Sequence, residues 1–328
     1  MKTTLPLAAV LALAALTPSV SAHEGGDVLL QTQAGAIIVG AVNDETFEST
    51  LDVKVFEGEL LTNFRSDEPG FLSFAHGNPN LPSGVATFPA LHNVSFDLLP
   101  MTVGQTSSNL LYWNGADAAN DGLTDADISF ARPSGTVWRV LDGTNNWITA
   151  DGSEVVVPGG LIQRTSSDID PFDGVDSGAM HKHLVLELAD TDENAATNPA
   201  EGIYMTAWQI RAEGFTTSEA ILMVHATSQA DPEAHELAVE WAEANYDALT
   251  APPLAGDFDG SGQVDGNDFL AWQRNLGTPT AADLSPWRNA MAAGNATVAA
   301  AVVPEPTTAM IAVATSVFAA FVSRYRNR

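Results

Sequence analysis

Between residues 27 and 227 the chain is a succession of short apolar segments. Some alternate apolar with polar residues and others run as unbroken β-branched stretches, with Gly, Pro, Asn and Asp interrupting them throughout. A period of two sends successive side chains to opposite faces, so each segment predicts a strand buried on one or both sides. The clearest are 36–42, 51–56, 94–99, 137–141, 154–157, 181–188, 202–211 and 219–226. No helical periodicity separates them, which argues against a parallel α/β fold, whose crossovers need helices. The pattern predicts a mostly β domain, an antiparallel β-sandwich or jelly-roll-like arrangement.

The period changes after residue 230. Asp231 suits an N-cap, Pro232 the first helical position, and Glu233 and Glu236 the positive end of a helix dipole. Ala234, Leu237, Ala238, Trp241 and Ala244 then recur at helical spacing, predicting a helix to about residue 249 that packs on the sheets. Pro252 and Pro253 mark a linker. The predicted organisation is a leader at 1–22, a β domain with its helix at 23–249, and a small α module at 250–290. An Ala/Gly/Val-rich spacer at 291–303 and a hydrophobic C-terminal segment at 304–328 follow.

Both ends read as addresses. Lys2, the apolar run 5–16 and Val20-Ser21-Ala22 supply the three regions of a secretory signal peptide. At the other end, Pro304-Glu305-Pro306 precedes an apolar stretch of about 17 residues, at the lower limit for spanning a bilayer, and Arg324-Tyr325-Arg326-Asn327-Arg328 closes the chain. This tripartite end resembles the PEP-CTERM sorting signal. The resemblance implies an exosortase-type processing enzyme as a partner. It also implies an exported protein, at the cell surface or extracellular, held transiently or permanently by a C-terminal transmembrane helix.

Charge narrows the partners. Against 41 acidic residues stand 13 basic ones, a formal net charge of −28. No basic surface for nucleic acid can be built from this, and contact with a membrane is left to the C-terminal segment. Cysteine is absent, which excludes disulfides and thiolate metal sites. A strongly acidic surface does attract divalent cations.

The acidic motif with the most regular spacing is Asp257-Phe258-Asp259-Gly260-Ser261-Gly262-Gln263-Val264-Asp265-Gly266-Asn267-Asp268. In an EF-type loop, oxygens at positions 1, 3, 5, 9 and 12 and the carbonyl at position 7 surround Ca2+. Asp257, Asp259, Ser261, Asp265 and Asp268 fall on the side-chain positions, and Gln263 on the carbonyl one. Gly262 allows the sharp turn, and a helix with Phe269 and Trp272 on one face follows. The stretch resembles a dockerin type I repeat. A second repeat is represented only by a helix around Ser285-Pro286-Trp287-Arg288, without the regular acidic loop. The resemblance implies calcium binding and a cohesin-like partner. An envelope or polysaccharide partner is the alternative.

Histidines offer the other candidate site. His181 and His183 stand two apart on a predicted strand, hence on one face, with Glu187 four further along on the same face. Two imidazoles and a carboxylate suit Zn, Fe, Mn or Cu. Gly178, His181, His183 and Glu187 resemble the first cupin motif; the histidine of the second motif is absent after Pro199. Two expectations follow: a non-catalytic, calcium-binding β-sandwich protein of the surface, or a metal-dependent, cupin-like or carbohydrate-active secreted enzyme.

Overall fold

The structure, a computed structural model, describes residues 26–43, 46–104, 106–115, 128–169, 174–191, 199–251, 264–275 and 284–292. The chain divides into two units, Met1–Ala251 and Pro252–Arg328. The predicted leader, the spacer and the apolar C-terminal segment lie outside the described residues. Among the described residues no helix is long and apolar enough to cross a membrane.

The first unit is mostly β, built from several sheets, one of them curled into a half-barrel. A five-stranded sheet is ordered β14 (Met180–Lys182), β6 (Phe71–Ser73), β1 (Asp27–Gln33), β2 (Ala36–Val42) and β3 (Ser49–Leu51). A six-stranded sheet is ordered β13 (Leu161–Arg164), β7 (Asn93–Leu99), β16 (Ile203–Ala212), β17 (Ala220–Thr227) and β4 (Val55–Leu60), with β10 (Leu111–Trp113) also on β16. A third sheet joins β12 (Trp147–Ala150), β11 (Thr136–Leu141), β15 (Val185–Asp190) and β5 (Arg65–Ser66). The hairpin β8 (Met101–Val103) and β9 (Thr106–Ser108) stands apart.

Pairing is antiparallel except between β1 and β6 and between β17 and β4, which run parallel. These two pairs depart from the purely antiparallel expectation. Strands far apart in sequence make them, so local patterning carried no sign of them.

β16 and β17 read as nearly continuous apolar runs because both of their faces are covered. On one face Tyr204, Trp208, Ile221 and Met223 meet Val28 and Leu30 of β1 and Trp138 and Val140 of β11 in the principal core. Within it the Trp208 ring lies 4.5 Å from Phe96 and 5.8 Å from Phe71. On the other face Met205, Ala207, Leu222 and Val224 pack under Ala234, Ala238 and Trp241 of α1 (Pro232–Ala244). Asp231 caps α1 by accepting a hydrogen bond from Glu233 N at 3.0 Å. The helix stops at Asn245, and α2 (Tyr246–Thr250) begins separately, so two helices replace the single predicted one.

Three predicted strands are revised. Segment 51–56 contains a turn at Asp52 (φ 63°), with β3 ending before it and β4 starting after it. Segment 154–157 contributes only a bridge from Val157 to Leu98, and Val155 and Val156 are exposed. Segment 181–188 breaks at His183-Leu184 into β14 and β15, which join different sheets. The last revision decides which residues can share a site.

In the second unit, α3 (Gly266–Asn275) and α4 (Ser285–Ala292) meet through aromatic rings. Phe269 lies 5.5 Å from both Trp272 and Trp287. Trp287 Nε1 donates to the Asp265 carbonyl at 2.6 Å.

Candidate metal centre

Alternation along β1 sorts its residues. Val28 and Leu30 enter the principal core, whereas Leu29, on the opposite face, joins a smaller cluster with Val42, Leu72 and Phe74. Asp27 shares the face of Leu29. On the neighbouring strand, Leu72 pairs with Leu29 on one side and with His181 on the other. Two residues before Leu72, just ahead of β6, the same registers place Gly70 between Asp27 and His183. A Cβ at Gly70 would overlap Asp27 Oδ1 and come 2.7 and 2.8 Å from His183 Cε1 and Nε2. A glycine in the middle row therefore leaves the gap across which side chains from two non-adjacent strands meet.

Gly70→Ala is accordingly expected to push Asp27 and His183 apart and weaken metal binding by about 10- to 100-fold, the range seen when the support of a ligand shell is lost. Calorimetric zinc titration of the two proteins checks this. Equal affinities would show that the gap does not matter.

The three side chains converge. His181 Nε2 lies 2.8 Å from Asp27 Oδ2 and 3.0 Å from His183 Nε2. His183 Nε2 is 4.0 Å from Asp27 Oδ1. One ligand atom from each residue fits within a 4.8 Å group. Two nitrogens bound at about 2.1 Å to one ion would stand about 3.0 Å apart at a right angle and about 3.4 Å apart at the tetrahedral angle.

A hydrogen bond between the rings would also give 3.0 Å, so that spacing alone decides nothing. The carboxylate decides more. Asp27 is fully buried, and neither of its oxygens receives a well-directed hydrogen bond from a described residue, although His181 is close. A buried carboxylate without directed donors is costly unless a cation, a metal ion or a protonated His181, compensates it.

The outer shell orients His183. Its Nδ1 lies 3.0 Å from the Asp67 carbonyl and 3.3 Å from Glu68 Oε1. A carbonyl only accepts, so Nδ1 carries the proton and Nε2 turns its lone pair toward Asp27 and His181. Carbonyl or carboxylate support of this kind is usual behind metal-binding imidazoles. Asp27, His181 and His183 can hold a metal ion.

The sequence-predicted ligands fare differently. His181 and His183 are brought together, as two-residue spacing required. Glu187 is not with them. It sits on β15 in another sheet, held by Arg65 Nε at 2.6 Å, by Arg65 Nη2, and by Arg139 at 3.7 Å. The break at His183-Leu184 ends the shared face, and two arginines neutralise the carboxylate. Asp27 takes its place. Its only signal was an acidic residue at the head of the apolar run Val28-Leu29-Leu30, in register with Leu29.

Of the predicted calcium ligands, Asp257, Asp259, Ser261 and Gln263 lie outside the described residues. Asp265 and Asp268 shape the start of α3: Asp265 Oδ1 accepts from Asn267 N at 2.6 Å, and the fully buried Asp268 accepts from Asp265 N.

His225 stays out of the centre. It is buried in β17, its Nε2 donating to the Glu68 carbonyl at 2.9 Å. Burial pushes its pKa down to about 4, the Glu68 hydrogen bond opposes this and His235 adds to it, so the ring is neutral at ordinary pH.

No protein-family model matches the chain, and no curated protein matches it.

Proposed function

We propose that this is an exported β protein of the cell surface or extracellular space that binds a divalent first-row transition ion through Asp27, His181 and His183. The observation that carries the reading is the buried Asp27 carboxylate, without directed donors, facing two imidazole nitrogens. Two nitrogens and one oxygen suit Zn, Fe(II), Mn or Cu better than Ca2+, which prefers an all-oxygen shell. The export address rests on the leader-like start and the PEP-CTERM-like end, with an exosortase-type enzyme as processing partner. The core shared by three sheets supports a jelly-roll-like sandwich as the carrier of the site.

The second unit, on this reading, is a dockerin-like calcium module. Its ligand spacing supports that role, as do the two helices joined through Phe269 and Trp287. A cohesin-like or polysaccharide partner would fit a module of that kind.

Native mass spectra of the chain, purified without chelator, test both ions together. One transition ion is expected to disappear in the His181→Ala/His183→Ala variant, and calcium in Asp257→Ala/Asp259→Ala, whose segment 256–290 should also lose protease resistance. A wild-type spectrum with no transition ion after incubation with zinc would end the first reading. Unchanged calcium and unchanged proteolysis in the aspartate variant would end the second.

A further inference from the structure

A groove of about 670 Å3 opens on the same sheet face as the metal ligands. His181 forms part of its wall, together with Leu72, Phe74, Met180, Ser166 and Asp168. Its volume falls within the range of small-ligand sites, and Leu72 and Phe74 give it an apolar stretch among polar residues such as Asn78, Ser166 and Asp168. The groove therefore begins at a metal ligand and runs away from it along β6 and β14.

Coordination chemistry says what would enter. The three protein ligands approach from the sheet, and the His181 side chain is 56% exposed. An ion held by three protein groups keeps further positions for exogenous donors. A divalent ion with one carboxylate leaves a local charge near +1, which one singly charged oxygen donor neutralises. Multiply charged anions are opposed by Asp168 in the wall and by the chain's net charge of −28.

We propose that the groove is the binding site for a small organic molecule, at most singly charged, whose paired oxygens chelate the ion while its apolar body lies along Leu72 and Phe74. The proposal rests on the metal-centre reading above and assigns that centre a ligand class.

Two hydroxamates serve as probes on the full chain loaded with Co2+, followed by the visible absorption of the cobalt. Acetohydroxamate carries only the chelating oxygens, and benzohydroxamate adds an apolar ring. Both should perturb the cobalt bands, with benzohydroxamate binding at least about tenfold more tightly, a modest return for burying a phenyl ring. Ala179→Phe, which adds a ring to the groove wall and replaces none of the three ligands, should erase that preference while leaving Co2+ and acetohydroxamate binding unchanged.

Equal affinity of wild type for the two probes would overturn the groove and spare the metal centre. A preference that survives Ala179→Phe would place the ring elsewhere and overturn it too. Failure of wild type to bind Co2+ would remove the centre itself, and the groove's role with it. The wild-type comparison needs no variant, so a poorly folded Ala179→Phe protein would not rescue the idea.

Discussion

Asp27→Asn is expected to stabilise the protein when metal is chelated and to destabilise it, relative to wild type, when zinc is supplied. The two signs have one cause. Without an ion, wild type buries a carboxylate whose oxygens have no directed donor. The neutral amide is cheaper to bury, so the variant should gain about 1–2 kcal/mol in chelator. With zinc at a hundredfold excess over its dissociation constant, wild type gains about 2.7 kcal/mol through linkage. The variant, having lost its anionic ligand and about 100-fold in affinity, gains about 0.4 kcal/mol at the same concentration. The order of stabilities therefore inverts.

Urea unfolding of both chains at pH 8, once in chelator and once in zinc, measures all four values. If Asp27→Asn were the weaker protein by the same amount in both buffers, Asp27 would be an ordinary structural partner of His181 and the metal reading would be wrong. Ordinary salt-bridge loss predicts that constant deficit, so the inversion separates the two accounts.

How much of this was visible in the sequence depends on range. Strands β2, β7, β11, β16 and β17 were legible because alternation and apolar runs are local, and α1 because its cap, proline and apolar stripe fall within one segment. His181 and His183 were legible as a pair for the same reason. Their third partner was not. Asp27 reaches them through a parallel β1–β6 pairing and an antiparallel β6–β14 pairing, and sequence distances of more than 150 residues leave no periodic trace.

Glu187 had the better local credentials, four residues beyond His183 and in phase with it. It was lost to a two-residue break and to two arginines on other strands. Gly70 is instructive in the same way. Alone it is one glycine among 26, and its meaning comes only from lying between two strands that each supply a ligand.

Acidification should weaken the β core through His225, and the direction follows from its burial. The imidazole lies in β17 with its ring 4.8 Å from Trp138. Nε2 donates to the Glu68 carbonyl, so the neutral tautomer leaves Nδ1 as an acceptor; neither Nδ1 nor Trp138 Nε1 has a partner among the described residues. Burial brings the folded pKa to about 4, whereas an unfolded histidine titrates near its ordinary value of 6.5. Between those values the unfolded chain binds the extra proton, so stability is fully present above pH 6.5 and falls as pH drops toward 4. At 1.36 kcal/mol per unit the loss is about 2 kcal/mol by pH 5 and about 3 kcal/mol below pH 4.

Carboxylates titrate over part of this range as well, so the comparison must be with His225→Gln, which keeps a donor for Glu68 and cannot be charged. Whatever advantage wild type holds over the variant at pH 7.5 should shrink by about 2 kcal/mol at pH 5, read from urea unfolding or from hydrogen exchange in β16 and β17. An advantage that stayed constant between the two pH values would mean that His225 is protonated as easily inside the fold as outside it. Glu68 carries the effect outward: its carbonyl accepts from His225 while its carboxylate lies 3.3 Å from His183 Nδ1. Exchange at residues 66–70, beside the metal ligands, should therefore rise together with that of β17 as the pH falls.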